Sequence, residues 1–371
     1  MLEERAYWLV WSEIPGIGPI LLQRLYQHFG TLSAAWTAPL PAIAQVEGIG
    51  GKLLEAIRRE RSRLDPAALL EDRLQRNLTF WTPADPDYPR LLLEIPSPPP
   101  ILYYRGQVNL EENRGAIPMV GIVGTRNATE YGRRWTRKIS AALARHGFTV
   151  VSGMALGIDT EAHRQCLAAG GRTIAVLGTG IDVVYPPSNQ QLYEEIQEQG
   201  LVVSDYAPGT KPDGKNFPPR NRIIAGLSRA VLVMEAAQRS GALITARYAN
   251  EFNRDVYALP NSLDRPQSLG CLELSNRGAQ MILGEGQLLE MLGEIPQLDV
   301  AQPQPVPRPD LPPSFARVWD AIAAAEDSIP FDAIVSQSEL SASEVSSALL
   351  QLELLDLAIQ LPGMRYQIKR S

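Results

Sequence analysis

The most informative segment for chemistry is Lys211–Arg222, KPDGKNFPPRNR, where Lys211, Lys215, Arg220 and Arg222 surround one aromatic residue, Phe217. Cations that pair with phosphates, beside a ring that stacks on a base, bind single strands with little demand for sequence. The same composition also suits a proline-containing loop with a buried Phe217 and with Asn221 at a helix start, so both readings stand. A second group of residues is built on glycine: Gly124-Thr125-Arg126, Ser152-Gly153, Gly157-Ile158-Asp159, Gly178-Thr179-Gly180 and Ser240-Gly241-Ala242. Glycine lets backbone N–H groups approach an oxyanion, and a helix N-terminus adds a favourable dipole. Arg126 supplies a bidentate charge for a phosphate.

Residues for catalysis are sparse. There is no GxxxxGK[ST] loop, and the first turn, GIVGTRNATEYG, lacks GxGxxG, which argues against ATP hydrolysis by that route and against an ordinary NAD site. The three histidines, His28, His146 and His163, belong to no Ser/His/Asp arrangement, and neither GxSxG nor HExxH occurs. Asp159 and His163 share one helix face and Glu161 does not, which fits a structural hydrogen bond better than a metal or acid–base site. Glu235, after AVLVM, is the one plausible acid for a nucleotide-processing enzyme of phosphoribohydrolase type, the alternative function. Cys166 and Cys271 lack metal-ligand spacing and are expected to be reduced, buried thiols. No catalytic residue, cofactor or metal is therefore expected.

These residues need a frame. From Ile117, the apolar runs PMVGIV, FTVVSG, TIAVLG, LVVS, AVLVME and DVYALP alternate with helix-like stretches such as YGRRWTRKISAALARHG and ALITARYANEFN. The alternation predicts a Rossmann-like α/β core over about Ile117 to Leu292, a parallel sheet covered on both faces. Ligands bind such sheets at the carboxyl ends of the strands, where the glycine turns fall. Upstream, Ile14-Pro15-Gly16-Ile17-Gly18 and Val46-Glu47-Gly48-Ile49-Gly50 each precede a helix-like stretch and resemble helix-hairpin-helix motifs. Such hairpins hold a DNA phosphate or simply pack two helices together, and only Lys52 is basic beside the second. The stretch TPADPDYPRLLLEIPSPPP is too proline-rich for regular structure and leads into a strand, ILYYRG.

Pro296–Pro313 holds seven prolines and reads as a semi-extended linker. Beyond it, three short helices (315–325, 331–337 and 341–352) and two strands (357–361 and 365–369) describe a winged helix. Its would-be recognition helix, SASEVSSALLQLE, contains no Lys or Arg, so it fits protein contact or packing and not phosphate neutralisation. The expected domains are 1–82, helical and helix-hairpin-helix or SAM-like; 83–296, Rossmann-like and DNA-binding, with a lead-in at 83–116; 297–313, the linker; and 314–371, the winged helix.

The 371 residues carry a net charge of −6. Residues 1–114 hold 12 basic against 14 acidic side chains, 115–295 hold 18 against 17, and 296–371 hold 5 against 10. Any DNA site must then be a local concentration of cations in the near-neutral middle. No run of about 18 apolar residues predicts a membrane span. The start, MLEERAYWLVW, lacks a signal-peptide pattern, and a cytoplasmic location is expected.

The ordered segments IVGTRNATEYG, SGMALGIDTEAH, VLGTGIDVVYPPSN, FPPRNRIIAGLSRAVLVMEA and SGALITA resemble the DNA-processing protein A (DprA/Smf) family. The resemblance is strongest over 119–260 and extends in layout along the chain. It implies a non-enzymatic protein that binds single-stranded DNA, forms homodimers through the Rossmann-like domain, protects incoming strands and loads RecA recombinase in natural transformation. It implies a DNA site of Gly124, Thr125, Arg126, Ser152, Gly153, Gly178, Gly180, Lys215, Phe217, Arg220, Asn221, Arg222, Ser240 and Gly241. Two segments depart from the pattern: Pro260-Asn261-Ser262 replaces Pro-Gly-Ser, and 268–274 departs from Gly-x-Asn-x-Leu-Ile.

Overall fold

The computed structural model describes residues 3–294, 311–323, 329–338, 340–355, 357–361 and 364–368. Most of the expected linker lies outside the described residues. The chain divides into two compact units, Met1–Leu298 and Asp299–Ser371.

The first unit opens with six helices, α1 (Glu4–Ser12), α2 (Pro19–Phe29), α3 (Leu32–Thr37), α4 (Leu40–Ile43), α5 (Gly51–Arg63) and α6 (Pro66–Gln75). The repeated glycine units form matching turns. Gly16 and Gly48 take φ of +89° and +92°, and Ile17 and Ile49 donate backbone hydrogen bonds to Ile14 and Val46, both at 3.1 Å. Each turn rests on the other repeat: a Cβ at Gly16 would meet Leu53 of α5, and one at Gly48 would meet Leu21 and Arg24 of α2. Arg24 also donates to the Glu47 carbonyl. The glycines thus serve the packing of two hairpins against each other.

The sheet has nine strands: β1 (Phe80–Trp81), β2 (Leu102–Gly106), β3 (Met119–Gly124), β4 (Thr149–Ser152), β5 (Thr173–Val176), β6 (Leu201–Ser204), β7 (Ala230–Glu235), β8 (Asp255–Ala258) and β9 (Gln280–Met281). Their order is β1-β2-β6-β5-β4-β3-β7-β8-β9. From β6 through β9 every neighbouring pair is parallel; β1 and β2 extend the edge antiparallel. The nine helices of this region are α7 (Arg90–Leu93), α8 (Leu110–Arg114), α9 (Glu130–Arg145), α10 (Ile158–Ala168), α11 (Gln190–Gln199), α12 (Phe217–Leu227), α13 (Gly241–Glu251), α14 (Leu269–Asn276) and α15 (Glu285–Glu294). One of them, α7, forms inside the proline-rich lead-in, within the proline-free run Arg90–Ile95.

Strand side chains alternate as a two-residue period demands. Met119 and Val123 join Val231 and Val233 in a core with α12 and α13, while Val120 and Ile122 join Ala230 and Leu232 in one with α9, α10 and α15. The N-terminal helices share a third core with Leu167, Leu192, Tyr193 and Ile196 of α10 and α11. The chain leaves β3 toward β6 and returns to place β7 on the other side of β3. This reversal opens a crevice at the carboxyl ends of β3 and β7.

The second unit holds α16 (Pro313–Ala323), β10 (Ile329–Pro330), α17 (Phe331–Ser338), α18 (Ala342–Leu354), β11 (Ala358–Leu361) and β12 (Arg365–Ile368). The strand order is β10-β12-β11, antiparallel throughout. Ser341 and Glu344 close a capping box at the start of α18. Strand β10 was not foreseen, because two residues show no periodicity.

Candidate nucleic-acid interface

The glycine turns interlock at the crevice. Thr125 donates its backbone N–H to the Glu235 carbonyl at 2.7 Å, and Ile158 donates to Thr125 at 3.2 Å. Gly157 has φ of +80°, and a Cβ there would stand 2.4 Å from the Thr125 oxygen. A Cβ on Gly124 would strike Ile158, one on Gly153 would lie 2.8 Å from both Arg220 and Asp159, and one on Gly180 would lie 2.7 Å from the Ala207 carbonyl. These glycines are therefore spent on loop-to-loop approach. Gly241 differs, being exposed with nothing near its missing Cβ.

Helix α12 starts at Phe217, with Pro218 in its first turn. That start puts Arg220, Asn221 and Arg222 on an element buried on most sides. Arg220 is 4% exposed and Arg222 8%. Arg220 donates to the carbonyls of Gly153, at 2.9 Å, and of Val176. It also donates to Asn221, whose amide reaches the Gly241 carbonyl and so ties α12 to α13. Burial pulls the Arg220 guanidinium down to about 10 despite the nearby carboxylates of Asp159 and Asp205. Burial pushes Asp159 up to about 6, against the opposing pull of Arg220 and of hydrogen bonds from Ala155, Gly153 and Ser152. Arg222 pairs with Asp205 at 2.9 Å, and burial raises Asp205 against the pull of Arg222. Ser152 turns its hydroxyl inward to the Ile122 carbonyl at 2.6 Å.

Above this buried layer lies an exposed one. The Arg126 guanidinium sits 5.3 Å from the centroid of the Phe217 ring, and Arg220 lies 5.9 Å from it. Phe217 is half-buried, and its ring presses on Gly178, where a Cβ would come within 2.7 Å. Arg126, Lys211 and Lys215 are exposed. Ser240 caps α13 by accepting from Ala242 at 3.3 Å. Of the expected residues, Arg126, Lys215, Phe217 and Gly241 thus reach the surface, while Ser152, Gly153, Arg220 and Arg222 lie beneath it.

Three features were missed from sequence. Asp159 and Asp205 are the countercharges of the two buried arginines. Tyr185 stands 5.7 Å from Phe217, ring centre to ring centre. Arg239, exposed in the loop after β7, takes φ of +61°. A positive φ outside glycine is sparsely populated and gathers at ligand sites. The Arg in AAQRSGA, one residue before the Ser240 turn, was the available signal.

The acid of the alternative enzyme reading is engaged elsewhere. Glu235 is buried and accepts from the Thr129 N–H and from its hydroxyl, both at 2.8 Å, against the start of α9. His163 bonds Thr173 Oγ1 at 2.7 Å and not Asp159; burial lowers its pKa to about 3, which keeps it neutral. Cys166 and Cys271 are buried free thiols, each pushed up to about 12 by burial. Among the described residues, no three His, Cys, Asp or Glu side chains are grouped to hold a metal, and no helix is long and apolar enough to cross a membrane.

Comparison with known proteins agrees with this architecture. A family model described as DNA recombination-mediator protein A matches residues 79–293, and one for the DprA winged helix domain matches 302–364. Protein Smf of Synechocystis is 52% identical over 98% of each chain. DNA processing protein DprA of Streptococcus pneumoniae is 44% identical over 53% of this chain and 68% of its own. A crystal structure of that protein superposes with a TM-score of 0.68 at 34% identity, covering 78% of this chain and 98% of the other. A structure of DNA processing protein A from Helicobacter pylori, solved for its single-stranded DNA binding mode, has a TM-score of 0.52 at 29% identity, covering 58% and 95%. The chain belongs to the DNA recombination-mediator protein A family.

Proposed function

We propose that the chain binds single-stranded DNA at the carboxyl edge of its parallel sheet and acts as a recombination mediator that protects incoming strands and loads RecA recombinase in natural transformation. The observation that carries this reading is the exposed Arg126 guanidinium over the half-buried Phe217 ring at the sheet edge, with Lys215 exposed two residues before that ring in the chain. A ring accepts an unstacked base and the cations accept its flanking phosphates, a combination available to a single strand and denied to a duplex. The single-stranded DNA binding of the Helicobacter pylori protein supports it, and the family description supports the mediator role.

In this reading the site has two layers. Arg126, Lys215, Phe217, Gly241 and the loop-end residues Gly124 and Thr125 meet the strand, while buried Gly178 and Gly180 let Phe217 and the loop at Ala207 come close. Arg220, Arg222, Asn221, Ser152, Gly153 and Ser240 hold those groups in place. Residues 83–296 then act as the DNA-binding domain, in a cytoplasmic protein that forms a homodimer through it. Fluorescence anisotropy with labelled oligothymidylate and a matched duplex at modest salt tests the reading. Preference for the single strand, weakened in Arg126→Ala, is expected; equal binding to both, or binding to neither, overturns it. Light scattering of the purified chain checks the dimer.

A further inference from the structure

The residue that carries a further inference is Tyr185, in the segment between β5 and α11. Its neighbour Val184 packs against the hydrophobic core, yet Tyr185 stays 38% exposed. Its ring lies 5.7 Å from Phe217 at an interplanar angle of 31°. Phe217 in turn carries the Arg126 guanidinium over it at 5.3 Å. Two aromatic rings, one from a loop and one from the first residue of α12, thus form one surface at the sheet edge, and the fold buries only one of them against a glycine turn.

We propose that Tyr185 is a second stacking surface for single-stranded DNA, so that Phe217 and Tyr185 take neighbouring bases of one strand. The inference rests on the sheet edge being a single-strand site. Arg126 occupies the Phe217 ring in the free protein and moves to a phosphate when a base arrives. A base stacks on an aromatic ring more strongly than an exposed guanidinium does, so the exchange is favourable. Stacking is indifferent to base identity, and Tyr185 contributes affinity without sequence preference.

The test is the binding of labelled oligothymidylate by the full chain across a salt series. Tyr185→Ala weakens binding between about 5- and 150-fold, the range for loss of one stacked base. Because no phosphate contact is lost, the dependence of affinity on salt stays as in the unaltered chain, whereas Arg126→Ala flattens it. Tyr185→Phe binds within about twofold of the unaltered chain, because the ring remains. Tyr185→Trp places an indole whose emission is quenched on addition of the oligonucleotide. If Arg126→Ala weakens binding while Tyr185→Ala leaves it unchanged, or the indole does not respond, Tyr185 is not a stacking residue and the site itself stands. If the unaltered chain binds no oligothymidylate, both fall.

Discussion

The sheet edge of the first unit and the winged helix of the second are both architectures that hold DNA in many proteins, yet here they carry opposite chemistry. The sheet edge exposes Arg126 over an aromatic ring, and Lys215 and Arg239 are exposed on the segments before α12 and α13. Helix α18, where a winged helix would read a groove, has Glu344 and Glu353 and neither Lys nor Arg. Its start is closed by its own capping box, in which the Ser341 and Glu344 N–H groups are already satisfied. Fold supplies the place for a site, and side chains decide whether the site exists. A second contrast runs inside the sheet edge: cations adjacent in sequence divide into buried ones that brace and exposed ones that are free to meet a phosphate.

The largest expected effect breaks the buried layer. Arg220→Ala leaves Asp159 buried without its countercharge and frees the Gly153 and Val176 carbonyls. Unpairing a buried charge costs about 3–5 kcal/mol. Urea unfolding should show that loss, and strand binding should fail with it. By contrast Arg126→Ala should leave the unfolding midpoint within about 0.5 kcal/mol of the original, as for an exposed residue, while weakening oligothymidylate binding.

The pH dependence of stability sharpens the account of Asp159. Its folded pKa is about 6, above the ordinary 3.8. The protonated form is therefore favoured on folding, and that contribution is complete below the ordinary value and lost as pH rises through about 6. Asp159→Asn cannot ionise, so unfolding measured at pH 4 and pH 7 should show the variant gaining on the unaltered chain toward pH 7, by at most about 3 kcal/mol. A gain in the opposite direction contradicts the assignment.

Smaller effects separate the two regions. Removing residues 297–371 should change single-strand affinity by less than about twofold, since α18 has no cation to release counterions. Lys215→Ala and Arg239→Ala should each reduce the slope of log affinity against log salt by about 0.7, the single-strand value for one phosphate contact.

Much of this frame was legible in the sequence. The six apolar runs from PMVGIV to DVYALP all became strands of the sheet, because buried parallel strands are continuous apolar segments. Two-residue strands such as β1 and β9 were not legible, since pairing alone defines them. The site residues were legible as types and not as layers. KNFPPRNR presents three cations and two amides of similar polarity, but Arg220 shares a helical stripe with Ile223, Ile224 and Leu227, at i, i+3, i+4 and i+7. That spacing was the signal for burial. Asp159 was singled out beside Gly157 and His163 but not as a countercharge, and Asp205 gave no signal, because their arginine partners lie 61 and 17 residues away in the chain.

The most direct measurement is photochemical crosslinking of oligothymidylate to the full chain, with the attached peptides identified by mass spectrometry. Crosslinks on peptides containing Phe217, Tyr185 and the Gly124–Arg126 turn are the predicted result. Crosslinks confined to Ala342–Leu354 of α18 or to the glycine hairpins at 14–18 and 46–50, with none at the sheet edge, would contradict the central claim.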